Sequence, residues 1–180
     1  MSKHENNGNC PKCNELFEKY PGFDMSMRQW FADVQGVVPE AHISDAGRGR
    51  DDQEAYFQRG ASKAHFGQSA HNYNAAIDVF EIRNGKATWD KAWYNSKIAP
   101  KLNSSLVWYG KPGSKFFELP HIELKGWKEM AQEGALGLVD HIEPTKPTET
   151  NRDLANDALA CMPKPSIFST VLTVLSFFRK

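Results

Sequence analysis

Apolar residues recur along the chain in two patterns, which predict short helices and short strands. Residues 26–34 show helical spacing, and the positions that carry it are Met27, Trp30, Phe31 and Val34. Residues 75–80 are predicted to form a buried strand, because apolar side chains flank a single acid, Asp78. A second apolar strand opens at His121, and a further helix is predicted within residues 89–102. The pattern therefore predicts one domain that mixes helices and short strands.

Composition limits both the size of the core and the class of partner. A chain of 180 residues with 40% hydrophobic residues can bury one sizeable core but is too short for two ordinary domains. Its 22 Lys and Arg residues balance its 22 Asp and Glu residues. Nucleic acid is therefore not expected as the main partner, because no basic excess is available to hold a phosphate backbone.

The N-terminal residues carry a pair of cysteines, Cys10 and Cys13, with the spacing of half a zinc ribbon. The chain has no second pair of this kind, and its third cysteine, Cys161, is far away in sequence. Two interpretations stay open. The pair is either reduced at the start of a helix, or part of a second, structural zinc site completed by a histidine such as His4.

The main chemical signal is a set of two histidines and two acids. His71 precedes Asp78 by seven positions, and His121 follows fifty positions after His71, with Glu118 three residues before it. Two histidines and one aspartate would leave the fourth position of a zinc ion open for water, which is typical of a catalytic rather than a structural site. Glu118 is then the candidate general base.

Three sequence elements resemble a known family. They are Ser69-x-His71 with Asp78, Glu118-x-x-His121, and Ala46-Gly47-Arg48 followed by Gln53. Together, over roughly residues 39–127, they resemble the zinc D,D-peptidases of the VanX, VanY and D-alanyl-D-alanine carboxypeptidase group. That group includes bacteriophage endolysins that cut the L-alanyl-D-glutamate bond of peptidoglycan. The resemblance implies an α+β fold, in which a small antiparallel sheet with flanking helices surrounds a single zinc site, as in VanY-like and hedgehog-like proteins.

The same resemblance assigns roles to individual residues. It implies zinc ligation by His71, Asp78 and His121. Arg48, with Gln53 five positions on, corresponds to an arginine that holds the carbonyl oxygen or carboxylate of the substrate, and Arg50 is the alternative. The family usually has glycine at the position of Asn74 in this chain, a departure that matters little if Asn74 adopts a positive φ angle, which asparagine tolerates better than most residues.

Four further residues are predicted near the site, each with a structural alternative. Ser69 either forms a hydrogen bond near the metal or fixes the loop that carries His71. Trp108 or Tyr109 either lines the substrate cleft or belongs to the core. Glu123 falls on the same face of a strand as His121, where its carboxylate either orients that ligand or makes a purely structural hydrogen bond.

Domain boundaries follow from these assignments. We predict an N-terminal segment at 1–24, a catalytic domain at 25–143, a proline-bearing linker at 144–165 and an amphipathic hydrophobic tail at 166–180. The tail is shorter than the ~20 residues that a membrane-spanning helix needs. It is expected either to dock on the domain or to contact a membrane surface.

The sequence as a whole predicts a zinc-dependent peptidoglycan peptidase of the phage endolysin branch. The substrate would be the peptidoglycan stem peptide, and the protein is expected to be a monomer. No secretory signal is visible, so we expect synthesis in the host bacterial cytoplasm before action on the cell wall. Two alternatives are a D-alanyl-D-alanine carboxypeptidase or dipeptidase, and a non-catalytic zinc-stabilised module that binds cell wall. The endolysin branch more often has aspartate at the position of Glu118, so the bond that is cut stays open.

Overall fold

The computed structural model describes residues 10–20, 22–111, 113–114 and 117–139. Its helices are α1 Pro11–Glu18, α2 Met25–Val37, α3 Arg50–Gln58, α4 Lys91–Trp93 and α5 Trp127–Gln132. Its strands are β1 Ala41–Asp45, β2 Ala76–Arg83, β3 Lys86–Thr88, β4 Leu106–Trp108 and β5 His121–Leu124. The predicted linker and tail, as well as His4 and Cys161, lie outside the described residues.

The strands form one antiparallel sheet in the order β1-β2-β5-β4, and β3 also pairs with β2. Strand β2 is central and almost entirely buried, as its run of apolar residues predicts. The prediction of an α+β fold with a small antiparallel sheet and flanking helices is confirmed. Because β2 and β5 are neighbours, the two predicted strands that carry Asp78 and His121 lie side by side.

Helix α2 supplies one wall of the core. Its buried residues are Met27, Trp30, Phe31, Val34 and Gln35, so the predicted apolar stripe faces inwards. The helix begins at an Asp24 cap, whose side chain accepts a hydrogen bond from the Met27 backbone N–H at 2.9 Å. Such a cap contributes on the order of 1 kcal/mol to stability. The same core takes in Cys13 and Phe17 of α1.

The predicted helix within residues 89–102 is divided into three short pieces. Helix α4 runs into a π-helical segment, Tyr94–Ile98, which is followed by a 3-10 turn, Ala99–Lys101. Pro100 lacks a backbone N–H and cannot continue a regular α-helix. The buried side chains of this segment still include Trp93, Tyr94 and Ile98, so it packs on the core despite its irregular backbone. Among the described helices, none is long and apolar enough to cross a membrane.

Candidate active site

His71 lies on a short 3-10 helix, Ala70–Tyr73, which its neighbours hold at both ends. Ser69 caps the start in a reciprocal pair of hydrogen bonds with Asn72. At the other end Asn74 takes a positive φ of 54°, so the condition under which asparagine can replace the usual glycine is met. Ser69 therefore contributes to the local structure that carries His71.

The segment after β1 is joined to this 3-10 helix through backbone contacts. The Arg48 N–H donates to the His71 carbonyl at 2.9 Å, and the buried Asn72 amide donates to the Arg48 carbonyl at 2.9 Å. Gly47 makes the approach possible, since a Cβ at that position would lie 2.4 Å from the Asn74 side chain. The Ala46-Gly47-Arg48 element and the histidine loop thus form one unit.

Asp78 and His121 are brought together by the sheet. Asp78 of β2 stands directly opposite His121 of β5 in the antiparallel register. Residues directly opposite in such a pair project from the same face, so the two side chains meet without any loop rearrangement. The loop that carries His71 brings its imidazole ring to the same place.

The three predicted ligand residues converge on one point. His71 Nε2 lies 3.1 Å from His121 Nδ1 and 3.4 Å from Asp78 Oδ1. His121 Nδ1 lies 3.2 Å from Asp78 Oδ1. Ligand bonds of about 2.0–2.1 Å at a tetrahedral metal place the ligand atoms about 3.3 Å apart, so these spacings fit a zinc ion.

The hydrogen bonds on the outer side of each ring determine which nitrogen faces the centre as an acceptor. His71 Nδ1 lies 2.5 Å from the Ala46 carbonyl oxygen, which can only accept, so Nδ1 carries the hydrogen. His121 Nε2 likewise faces the Glu123 carboxylate at 3.1 Å. Two imidazole lone pairs and one carboxylate oxygen therefore point at one another. With both rings neutral, these three atoms form a donor set that is compatible with zinc.

The pKa values of His121 and Asp78 are shifted because opposite charges lie close together in this cluster. Burial lowers the pKa of His121, but its hydrogen bonds to Asp78 and Glu123 and the charges of both carboxylates raise it to about 10. Burial raises the pKa of Asp78, but the charge of His71 and the hydrogen bond from His121 outweigh burial and hold it well below its ordinary value.

Arg48 lies beside the cluster but is almost enclosed, with 5% exposure. It forms an ion pair with Asp45, to which its Nε donates at 3.0 Å, and its Nη1 donates to Gln53 at 3.1 Å. Its Nη2 is 3.9 Å from Asp78 Oδ2. Burial opposes the charge on Arg48, but Asp45 and Asp78 together raise its pKa above the ordinary value. The guanidinium thus separates two carboxylates that would otherwise repel each other across the β1–β2 pair.

Two further acids flank His121 on opposite sides. The side chain of Glu118 is 55% exposed, and its Oε2 is 4.0 Å from His121 Nδ1, on the side of the three acceptors. Glu123 is half-buried behind the ring and also accepts a hydrogen bond from the Tyr109 hydroxyl at 2.9 Å. Glu118 therefore faces both solvent and the candidate metal, whereas Glu123 lies behind the ligand.

The remaining predicted residues lie around this centre. Trp108 is buried, and its indole N–H donates to the Leu119 carbonyl at 2.8 Å, so it helps to hold the approach to β5. Gln53 is fully buried and supports Arg48. Arg50 is exposed and stacks over Phe66, with 4.3 Å from its guanidinium carbon to the ring centroid, outside the cluster.

Sequence reasoning missed two residues that shape the site. Asp45 forms the ion pair with Arg48, and Asn72 ties the histidine loop to the Arg48 backbone. For Asp45, its position three residues before Arg48 was a weak signal in the sequence. Asn72 gave none, because its contacts depend on how two distant segments meet.

Comparison with known proteins gives a likeness in fold. No protein-family profile matches the chain, and no curated protein sequence matches it. Among solved structures, the chain is similar to the L-Ala D-Glu endopeptidase ChiX of Serratia marcescens, with a TM-score of 0.55 and 16% sequence identity. The alignment covers 67% of this chain and 92% of ChiX. At this identity the likeness establishes a shared fold, and the assignment of chemistry has to come from the residues of the site.

Proposed function

We propose that this chain is a zinc-dependent peptidoglycan peptidase of the phage endolysin type, which hydrolyses the L-alanyl-D-glutamate bond of the stem peptide. The observation that carries the proposal is the meeting of His71 Nε2, Asp78 Oδ1 and His121 Nδ1 as three acceptors within 3.4 Å of one another. The shared fold with an L-Ala D-Glu endopeptidase supports this choice of reaction.

These three residues would hold the zinc ion and leave one side open towards Glu118. A bound zinc ion supplies Lewis acidity, and it lowers the pKa of water from 15.7 to about 7 at its open position. The outer hydrogen bonds to Ala46 and Glu123 fix the ring orientations, so the ligands are arranged before the metal arrives.

Glu118 would act as the general base. Its carboxylate lies beside the candidate metal and its side chain is open to solvent, so both water and substrate can reach it. It would take a proton from the attacking water as the carbon–oxygen bond forms, and return that proton to the departing amine as the amide bond breaks. The products are a new carboxylate on L-alanine and a new amine on D-glutamate.

Arg48 would supply positive charge next to the reacting carbonyl. It is held in place by Asp45 and Gln53 and lies 3.9 Å from Asp78. A fixed charge in a buried setting stabilises the negative charge that develops on the carbonyl oxygen, and the group needs little rearrangement as the charge grows.

The pairing of Arg48 also favours an internal bond over a terminal one. A carboxypeptidase has to bind the free carboxylate at the end of its substrate, which calls for a cation that the protein has not already neutralised. Arg48 is paired with Asp45 and lies close to Asp78. A neutral internal carbonyl is therefore the better match for it. A non-catalytic wall-binding module would have no need of an exposed carboxylate beside the metal ligands.

Digestion of purified peptidoglycan by the zinc-loaded chain tests the proposal. We expect fragments with new L-alanine carboxyl ends and D-glutamate amine ends, detected by mass spectrometry, and no release after chelation of the metal. Release of terminal D-alanine alone would assign the chain to the carboxypeptidases. Zinc binding without cleavage of any type of peptidoglycan would contradict catalysis and leave the wall-binding module.

A further inference from the structure

A second group of potential metal ligands lies away from the candidate active site. Cys10, Cys13 and His42 offer two sulfurs and one ring nitrogen that all lie within 4.8 Å of one another. All three residues are buried, with exposures of 6%, 3% and 3%. The set has no carboxylate, and its sulfur donors are of the kind that zinc takes in structural sites.

The local structure places these donors. Cys10 and Cys13 stand at the start of α1, one helical turn apart, and His42 lies on β1. His42 Nδ1 is 3.9 Å from Cys13 Sγ, which is long for a direct hydrogen bond, and His42 Nε2 is buried without a hydrogen-bond partner. The ring thus has one long contact with a sulfur and one nitrogen without a partner, which compensates only weakly for its burial.

Gln35 of α2 forms hydrogen bonds with residues of the same cluster. Its Oε1 accepts from the Cys10 backbone N–H at 2.9 Å, and its Nε2 donates to the Ala41 carbonyl at 2.9 Å. Its Nε2 also lies 3.7 Å from Cys13 Sγ, within reach of a weak N–H to sulfur hydrogen bond. Amide donors to a ligating sulfur are typical of the surroundings of metal thiolates. The cluster thus joins α1, α2 and β1.

Cys10 is disulfide-bonded in this structure, so its sulfur can serve as a thiolate ligand only after the disulfide has been reduced. Two equivalents of a low-molecular-weight thiol convert a protein disulfide into two protein thiols and one small-molecule disulfide. A divalent metal can then displace the protons of the Cys10 and Cys13 thiols, because the thiolate is the ligand form.

We propose that Cys10, Cys13 and His42 bind a zinc ion when Cys10 is reduced, and that this ion fastens α1 to β1. The third ligand is then His42 rather than His4, which the sequence offered as an example. A low-molecular-weight disulfide restores the protein disulfide at Cys10 and leaves as two small thiols, which removes one ligand. The ion is therefore held in the reduced protein and released from the oxidised one. Strand β1 ends at Asp45, which fixes Arg48, so the metal supports the strand that leads into the active site.

Cobalt titration of the full chain tests this proposal independently of any peptidase activity. Cobalt bound by thiolates shows charge-transfer absorption in the near ultraviolet, whereas cobalt at a cluster of histidine and aspartate does not. We expect this band in the chain reduced with a phosphine, and its absence from the disulfide form of the same preparation. The reduced chain should also bind two zinc ions and the oxidised chain one.

Variants assign the band to its ligands. Cys13→Ser should abolish it, His42→Gln should shift its appearance to higher cobalt concentration, and His71→Ala should leave it intact. His65→Gln is the matched control for His42→Gln, because His65 is exposed and belongs to neither cluster. Absence of the band from the reduced wild-type chain would overturn the proposal, and this comparison needs no variant to fold. A band that persists in Cys13→Ser or is unchanged in His42→Gln would overturn the ligand assignment.

Discussion

The described residues include two clusters of three potential metal ligands, and the clusters differ in donors and in access to solvent. The first, His71, Asp78 and His121, contains a carboxylate, and the Asp78 side chain is 20% exposed. The second combines two cysteines with a histidine, and each of these residues is at most 6% exposed. Three donors are thus gathered in both places, but solvent reaches only the first.

On this difference in access we base the proposed catalytic role of the first cluster and the proposed structural role of the second. An exposed carboxylate, Glu118, stands beside the first cluster, where water and substrate can approach. The second is enclosed by α1, α2 and β1, and its neighbour Gln35 supplies hydrogen bonds rather than a base. With three protein donors in each cluster, the fourth position of a zinc ion would face solvent and Glu118 in the first, whereas protein would surround it in the second.

The largest expected effect comes from removal of a ligand of the first cluster, His71, Asp78 and His121, which we call the open cluster. His71→Ala should reduce peptidoglycan cleavage to the level of a blank, because the remaining two ligands cannot hold the ion in place. Metal analysis of the reduced protein should show the loss of one zinc ion while the cysteine cluster keeps its own. His65→Ala is the control and should cleave normally. Undiminished cleavage by His71→Ala would break the distinction between the clusters.

Replacement of the candidate base should have the next largest effect. Glu118→Gln keeps the size of the side chain but removes its basicity, so kcat should fall by about 10²- to 10⁴-fold. Zinc content should stay unchanged, because Glu118 is not among the three ligands. Glu133→Gln, at an exposed position in the same part of the chain, should behave like the wild type. If Glu118→Gln keeps near-full activity with its zinc bound, another group is the base.

Arg48 and Arg50 can be told apart by the same conservative change. Arg48→Lys keeps a positive charge, but lysine cannot reproduce the planar contacts with Asp45 and Gln53, so kcat should fall by about 10²-fold. Arg50→Lys should have no effect, because Arg50 is exposed and stacked on Phe66. The KM of both variants should be compared with that of the wild type. A loss in Arg50→Lys alone would reverse the assignment.

The smallest effect is expected from replacement of Glu123, which lies behind the His121 ring. Glu123→Gln weakens the hydrogen bond that orients His121, so zinc affinity should fall by about 10- to 100-fold. Excess zinc should restore activity, which separates this role from that of Glu118. Tyr109→Phe removes only the hydrogen bond to Glu123 and should weaken zinc binding less. A defect in Glu123→Gln that excess zinc does not repair would show that Glu123 acts on the reaction itself.

The sequence predicted the elements of the open cluster because strand periodicity and local spacing carry them. The run around Asp78 predicted β2, His121 opened β5 as expected, and the alternation along β5 placed Glu123 on the face of His121. In each case the determining interactions lie within a few residues or follow from the pleat of a strand.

What the sequence did not predict depends on contacts between distant segments. His42 joins Cys13 across 29 positions of sequence, and no spacing rule connects a strand histidine to a cysteine pair at a helix start. Asn72 bonds the backbone of Arg48 across 24 positions. Pro100 marks in the sequence where the predicted helix within 89–102 cannot continue, but the π-helical geometry of residues 94–98 had no such local signal. In that segment Tyr94 donates a hydrogen bond to the Val79 carbonyl of β2.

Zinc restoration of a chelated preparation tests the central claim, that the open cluster carries peptidoglycan cleavage. The wild-type chain and Asp78→Asn would be stripped of metal, supplied with increasing zinc, and incubated with purified peptidoglycan. We predict that wild-type cleavage returns with one zinc ion at the open cluster and that Asp78→Asn stays inactive at the same zinc concentrations. Cleavage by the stripped wild-type chain, or equal recovery in Asp78→Asn, would contradict the account.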